Sequence, residues 1–220
     1  IEDSVSYDMV ENPVQLYHAG KAFGKFQSML DDFPADKLHE TITDFHNTPV
    51  RVSQLEQAIE NDAAKRVKLA GKEIEFAKEY TKYASAITDK MADGSVLLRV
   101  THNDTKLNNV LFDKDTDEGL CVIDLDTVMP GSVLFDFGDA LRFGASSGSE
   151  DEQDLDKIWF DLEKFEQFAK GFLSETADCL TQTEIELLPL SALIMTYECG
   201  TRFLADYLNG DTYFKIHREN

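Results

Sequence analysis

Small or apolar residues recur every three to four positions at Leu16, Gly20, Phe23, Phe26, Leu30 and Phe33. This spacing predicts a helix with one buried face. Asn12 before Pro13 marks its start, because an asparagine can cap the free amides and a proline fits the first helical position. Ser53 and Glu56 have capping-box spacing and predict a second helix opening there, with the charged, apolar-striped residues 62–91 continuing in helical period. Residues 1–94 therefore read as helical.

The pattern changes at Ser95. Val96-Leu97-Leu98-Arg99-Val100 reads as a strand, and two short apolar runs, Val110-Leu111-Phe112 and Leu120-Cys121-Val122-Ile123, flank the polar residues 113–119 and predict a β-hairpin. From Asp154 the helical period returns through Trp159, Leu162, Phe165, Phe168 and Phe172. It restarts after a second capping box, Thr181 with Glu184. No repeat, low-complexity linker or proline-rich boundary divides the chain. The expectation is one domain, 1–220, of α+β class and mainly helical: helices over 1–94, a strand-and-loop island over 95–143, and helices over 144–220.

Composition narrows the function classes. A hydrophobic content of 42% with 15 Phe, 7 Tyr and 1 Trp is enough for one substantial core, which excludes a disordered chain. No apolar run approaches the roughly 18 residues of a membrane span. With 42 acidic and 21 basic side chains the net charge is −21, which repels a phosphate backbone and argues against a nucleic-acid partner. A bound nucleotide would need a divalent cation to bridge its phosphates to carboxylates. Cys121, Cys179 and Cys199 are too scattered for a disulfide framework or a zinc site, and point to a reducing, cytoplasmic setting. The chain opens at Ile1, so a targeting segment could precede it.

The candidate chemistry lies between the first strand and the hairpin, in Thr101-His102-Asn103-Asp104-Thr105-Lys106-Leu107-Asn108-Asn109. Asn109 follows Asp104 by five residues, the H-x-D-x-x-x-x-N spacing of protein kinases. There a carboxylate accepts the substrate hydroxyl's proton, and an amide oxygen from the same loop binds magnesium. Lys106 could offset charge on a transferring phosphoryl group. His102 is expected to orient the loop through hydrogen bonds. Asp124, at the end of the second hairpin strand, is the second expected magnesium ligand. A literal Asp136-Phe137-Gly138 lies beyond Pro130-Gly131, too far along to be returned by the hairpin. Asp136 and Asp139 instead read as structural acids opening a helix and tying a loop.

Together these stretches resemble the aminoglycoside phosphotransferase and choline kinase superfamily, and within it the N-acetylhexosamine 1-kinases. The resemblance rests on Thr101 to Lys106 with Asn108-Asn109-Val110, on Val122-Ile123-Asp124-Leu125-Asp126-Thr127-Val128-Met129-Pro130-Gly131, and on Phe135-Asp136-Phe137-Gly138-Asp139-Ala140. Weaker likeness extends to Gly20-Lys21-Ala22-Phe23-Gly24, Phe45-His46-Asn47-Thr48 and Tyr197-Glu198-Cys199-Gly200-Thr201-Arg202-Phe203. It implies a protein-kinase-like carboxy-terminal lobe that phosphorylates the anomeric hydroxyl of an N-acetylhexosamine with ATP and Mg²⁺. Asp104 would be the base, Asn109 and Asp124 the metal ligands, and Arg202 and Asp126 the sugar contacts. The family's amino-terminal lobe, with its sheet, nucleotide-covering loop and ATP-binding lysine, has no counterpart before Asp104. This chain therefore reads as a carboxy-terminal lobe whose partner lobe is absent.

Two other readings stay open. A choline- or aminoglycoside-type small-molecule kinase would need an aromatic or acidic pocket for a cationic headgroup. A non-catalytic kinase-like binding module would have no need of Asp104, Asn109 and Asp124 together. Residues 113–119 resemble a calcium loop but lack the required glycine and glutamate, and no Walker-type phosphate loop is present.

Overall fold

The computed structural model describes residues 1–148 and 152–215; the remaining residues of the expected 144–220 helical third lie outside the described residues. The elements run β1 (Ser4–Val5), α1 (Pro13–Met29), α2 (Thr48–Asn61), α3 (Gly71–Tyr80), α4 (Ala86–Ala92), β2 (Arg99–Thr101), β3 (Val110–Asp113), β4 (Gly119–Val122), β5 (Met129–Gly131), α5 (Val133–Gly144), α6 (Leu162–Thr176) and α7 (Gln182–Asn209). The fold is mixed α and β and mainly helical, as expected of its class.

Both sheets are small and antiparallel. In one, β3 is central, flanked by β1 and β4; in the other, β2 pairs with β5. The hairpin forms where the apolar runs placed it, with Val110 opposite Val122 and a register shift between Leu111 and Phe112. β1 differs from the helical expectation for the opening residues: Ser4 and Val5 pair with Asp113 and Phe112 and add a third strand.

Helix starts follow capping chemistry more closely than periodicity. At α1, Asn12 and Gln15 form a capping box, and the helix ends at Met29 with Leu30 as its cap, so Phe33 lies beyond it. α2 starts earlier than expected. Asn47 caps it and Pro49 sits in its first turn, leaving Ser53 inside the helix, and Asp62 ends it in the left-handed conformation. The stretch expected as one helical run over 62–91 is therefore broken into α3, a 3-10 turn and α4. α6 starts at Leu162, capped by Asp161, and Trp159 is exposed ahead of it. Thr181 and Glu184 cap α7 as their spacing predicts. β2 is shifted by three residues, because the Val96 amide bonds to the Lys90 carbonyl at the end of α4 and the Leu97 amide to Glu184. Those two donors are spent before the ladder begins.

α1 packs against α6 with the backbones nearly touching. A Cβ on Gly20 would lie 2.3 Å from the Phe168 carbonyl oxygen, and one on Gly171 2.0 Å from that of Tyr17, so only glycine permits this approach. The main core of Phe23, Phe112, Phe137, Phe168 and Phe172 fills the space between these helices, α5 and the three-stranded sheet. A second cluster, with Val52, Leu55, Ile74 and Leu208, joins α2 and α3 to the later half of α7. Helix α7 thus spans both cores. Its first turn is tied to β2 by the buried Arg99, which makes two hydrogen bonds to Glu184. No helix among the described residues is long and apolar enough to cross a membrane.

Candidate active site

The loop leaving β2 is held from below by the first turn of α5. Asp136, wholly buried there, accepts from the His102 amide at 2.9 Å, the Asn103 amide at 2.7 Å and the Gln27 side chain at 2.6 Å. Thr105 donates its hydroxyl to the Asp136 carbonyl at 2.6 Å and its amide to Asp139 at 3.1 Å. Burial pushes the Asp136 carboxyl up, against the pull of the two loop amides. Three N–H groups aimed at its two oxygens match an anion. Asp136 is thus fully engaged in fixing the loop and points away from solvent.

From the other side the segment after β4 clasps the same loop. Asn103 donates to the Thr127 carbonyl at 2.9 Å, and Thr127 returns its hydroxyl to the His102 carbonyl at 2.7 Å. The His102 ring lies against Phe23 and Phe26. Its Nδ1 accepts the Asp104 amide at 3.3 Å, so Nε2 carries the proton and donates to the Ile123 carbonyl at 2.9 Å. This network assigns His102 as a neutral imidazole. Asn103 adopts φ 65°, a left-handed conformation that asparagine tolerates better than most residues.

Above this support sit the side chains singled out by spacing. Asn109 donates through Nδ2 to both the carbonyl (2.7 Å) and the carboxylate (3.1 Å) of Asp104. That commits the amide nitrogen and leaves the carbonyl oxygen, Oδ1, without a hydrogen bond among the described residues. Lys106 lies 3.1 Å from the other Asp104 oxygen; with both side chains partly exposed, solvent screens this pair. The Ile123 amide donates to the Asn109 carbonyl at 2.9 Å, which sets Asp124 beside Asn109 just past the hairpin. Asp124 is exposed, takes a left-handed conformation ahead of a 3-10 turn over Leu125–Thr127, and has no partner among the described residues.

Asn109 Oδ1 and the Asp124 carboxylate are therefore two hard oxygen donors left uncommitted by the fold, the donor type that magnesium takes. Among the described residues no three or more His, Cys, Asp or Glu side chains converge into a metal cage. A pair of protein oxygens completed by phosphate and water is how magnesium sits in nucleotide sites, so the residues present fit the ion.

The expected sugar contacts fall in different places. Asp126 is exposed in the Leu125–Thr127 turn. Arg202, on α7, lies 5.6 to 6.0 Å from the rings of Phe45, Tyr213 and Phe214, in a cavity of about 500 Å³ also lined by Arg51, Gln54 and Asn209. Asp126 does not line it. A larger apolar cavity between α3 and α7, lined by Phe76, Tyr80, Leu193 and Phe203, contains none of the residues discussed so far as site candidates.

The residues that spacing passed over are the loop's supports. Gln27 continues the register of Leu16, Gly20 and Phe23 on the buried face of α1, and Glu198 interrupts the buried run of α7. A polar residue in an apolar register is the signal that would have found both.

Residues 2–168 match the model of a phosphotransferase enzyme family, designated APH. The match includes Asp104, Asn109, Asp124 and Asp136 and stops before α7. It covers well over half of the chain, and the supported loop it contains presents an acid, an amide oxygen and a second acid in kinase order. The chain belongs to the APH phosphotransferase family, in the aminoglycoside phosphotransferase and choline kinase superfamily of kinase-type enzymes.

Proposed function

We propose that this protein transfers the γ-phosphoryl group of ATP to the anomeric hydroxyl of an N-acetylhexosamine. The observation that carries the catalytic part is the engagement of Asn109. Its amide nitrogen grips Asp104 at two points and leaves its oxygen uncommitted, while the hairpin sets Asp124 next to it. One side chain thereby orients the base and offers a metal ligand.

In this reading Asp104 accepts the proton of the sugar hydroxyl as its oxygen bonds to phosphorus and the bond to the β-phosphate oxygen breaks, releasing ADP. An anomeric hydroxyl is the most acidic on a sugar, so an ordinary carboxylate suffices. Lys106 keeps positive charge near the transferring group. Asn109 and Asp124 would hold magnesium, which would supply positive charge to offset that of the phosphates. Asp136, Gln27, Thr105, Thr127 and His102 keep the loop from moving.

The sugar part rests on the resemblance and on the cavity around Arg202. Aromatic rings beside arginine, glutamine and asparagine suit a polyhydroxyl ring, whereas a cationic choline headgroup would meet the Arg51 and Arg202 guanidiniums, the lining carboxylate of Asp206 being engaged already by the Thr212, Tyr213 and Phe214 amides. An amino-terminal lobe of the kind the resemblance implies would cover the nucleotide from its other side, so the test uses the gene-length protein. ATP consumption is measured across N-acetylglucosamine, N-acetylgalactosamine, choline and aminoglycosides, and the phosphate is located on the product. Phosphate at the anomeric carbon of an N-acetylhexosamine is expected. Turnover of choline or an aminoglycoside alone would overturn the sugar assignment, and silence on every acceptor would favour a binding module.

A further inference from the structure

The peptide plane joining Asn103 to Asp104 is gripped at both ends. Its N–H bonds to His102 Nδ1 at 3.3 Å, and its carbonyl oxygen lies 3.0 Å from His46 Nε2. His46 comes from the segment before α2 and is buried, its side chain 6% exposed. Its other nitrogen, Nδ1, lies 2.9 Å from Glu198 on α7. The second Glu198 oxygen accepts from the Thr48 hydroxyl at 2.7 Å. The rings of Phe45 and Phe135 close the remaining sides.

We propose that His46, anchored by Glu198, is a positioning residue for the catalytic loop: its two ring nitrogens hold the Asn103 carbonyl to α7 and so fix the peptide plane that carries Asp104. This rests on the reading of Asp104 as the base.

Both nitrogens face oxygen acceptors, a carboxylate and a carbonyl. Only an imidazolium donates to both; a neutral ring leaves one lone pair facing an oxygen and one bond unmade. Burial alone would push the His46 ring down, but the hydrogen bond and charge of Glu198 outweigh it, with help from Asp139, and the net direction is up. The charged groups around the ring are Glu198 from α7, Asp139 from α5, whose carboxylate Arg142 shares, and Arg51 on α2, which donates to the Asp44 and Phe45 carbonyls. The loop itself contributes the Asn103 carbonyl. The stability this proton confers is complete below the ordinary value of 6.5 and is lost as pH rises through the raised value. The loop's grip should weaken over the same interval. The link also reaches the acceptor cavity, since Arg202 follows Glu198 by one turn and lies over Phe45, the neighbour of His46.

The test has two arms. In the first, nitrogen-15 NMR follows the imidazole of the full chain between pH 5.5 and 9, with His46 assigned by its disappearance in His46→Gln. Expected are a His46 midpoint above 6.5, two protonated ring nitrogens below that midpoint, and Asn103 and Asp104 amide signals that move with it. A midpoint at or below 6.5, or loop amides indifferent to the titration, would overturn the proposal. In the second arm, the gene-length protein is compared with Glu198→Gln, which keeps the bonds to His46 and Thr48 but removes the charge. The parent's kcat should fall as pH rises through the His46 midpoint, whereas the variant's should not, because the introduced amide can donate to a neutral Nδ1 and leave Nε2–H on the Asn103 carbonyl; KM for ATP should be unchanged in both. A parent indifferent to that interval, or a variant that falls with it, would reduce His46 to packing. Failure of the Asp104 assignment is separable, because it would leave the NMR arm intact.

Discussion

Asp104→Asn in the gene-length protein lowers kcat by about 10²–10⁴-fold, the range for removing a positioned general base, while KM for ATP changes little. The substitution is nearly isosteric. The Asn109 amide keeps its 2.7 Å bond to the residue's backbone carbonyl, and a side-chain amide oxygen can still accept the second bond. What is lost is a group able to take the hydroxyl's proton. Steady-state kinetics with the acceptor saturating check this, with thermal unfolding as the control for fold. A variant that folds normally and turns over at the parent rate would remove Asp104 from the mechanism.

Asp136→Ala destabilises the fold by about 3–5 kcal/mol, because it orphans three donors in the interior at once. The His102 and Asn103 amides and the Gln27 side chain all terminate on this carboxylate, which is 1% exposed. Urea unfolding at neutral pH measures the loss. The same experiment judges the tempting Asp136-Phe137-Gly138 motif. If Asp136 were a magnesium ligand, its loss would leave stability untouched and abolish only metal-dependent turnover.

Much of this was legible in the chain and some was not, for identifiable reasons. The hairpin and its return at Asp124 could be read because two short apolar runs around a polar turn have few other folds open to them. The caps at Asn12 and Thr181 could be read because capping is local chemistry. At Ser53 the same rule misled: the spacing of Ser53 and Glu56 was right, but Asn47 with Pro49 starts the helix earlier and places Ser53 inside it. β1 escaped notice because two residues leave no periodicity, and their pairing depends on β3 more than a hundred residues away. The loop's supports were the least visible part. Gln27, His46 and Glu198 are remote in sequence from Asp104 and reach its loop only through the packing of α1, α7 and the segment before α2, while Thr127 reaches it from the turn after β4.

If, as proposed, Asn109 and Asp124 hold the magnesium that makes Asp104 effective, phosphoryl transfer from ATP depends on that pair of oxygens. Magnesium is titrated into the gene-length protein and into Asp124→Asn. The parent should show saturable magnesium dependence, and the variant should fold but show no measurable transfer at any magnesium concentration. Transfer by the variant with the parent's rate and magnesium dependence would remove Asp124 from the metal site.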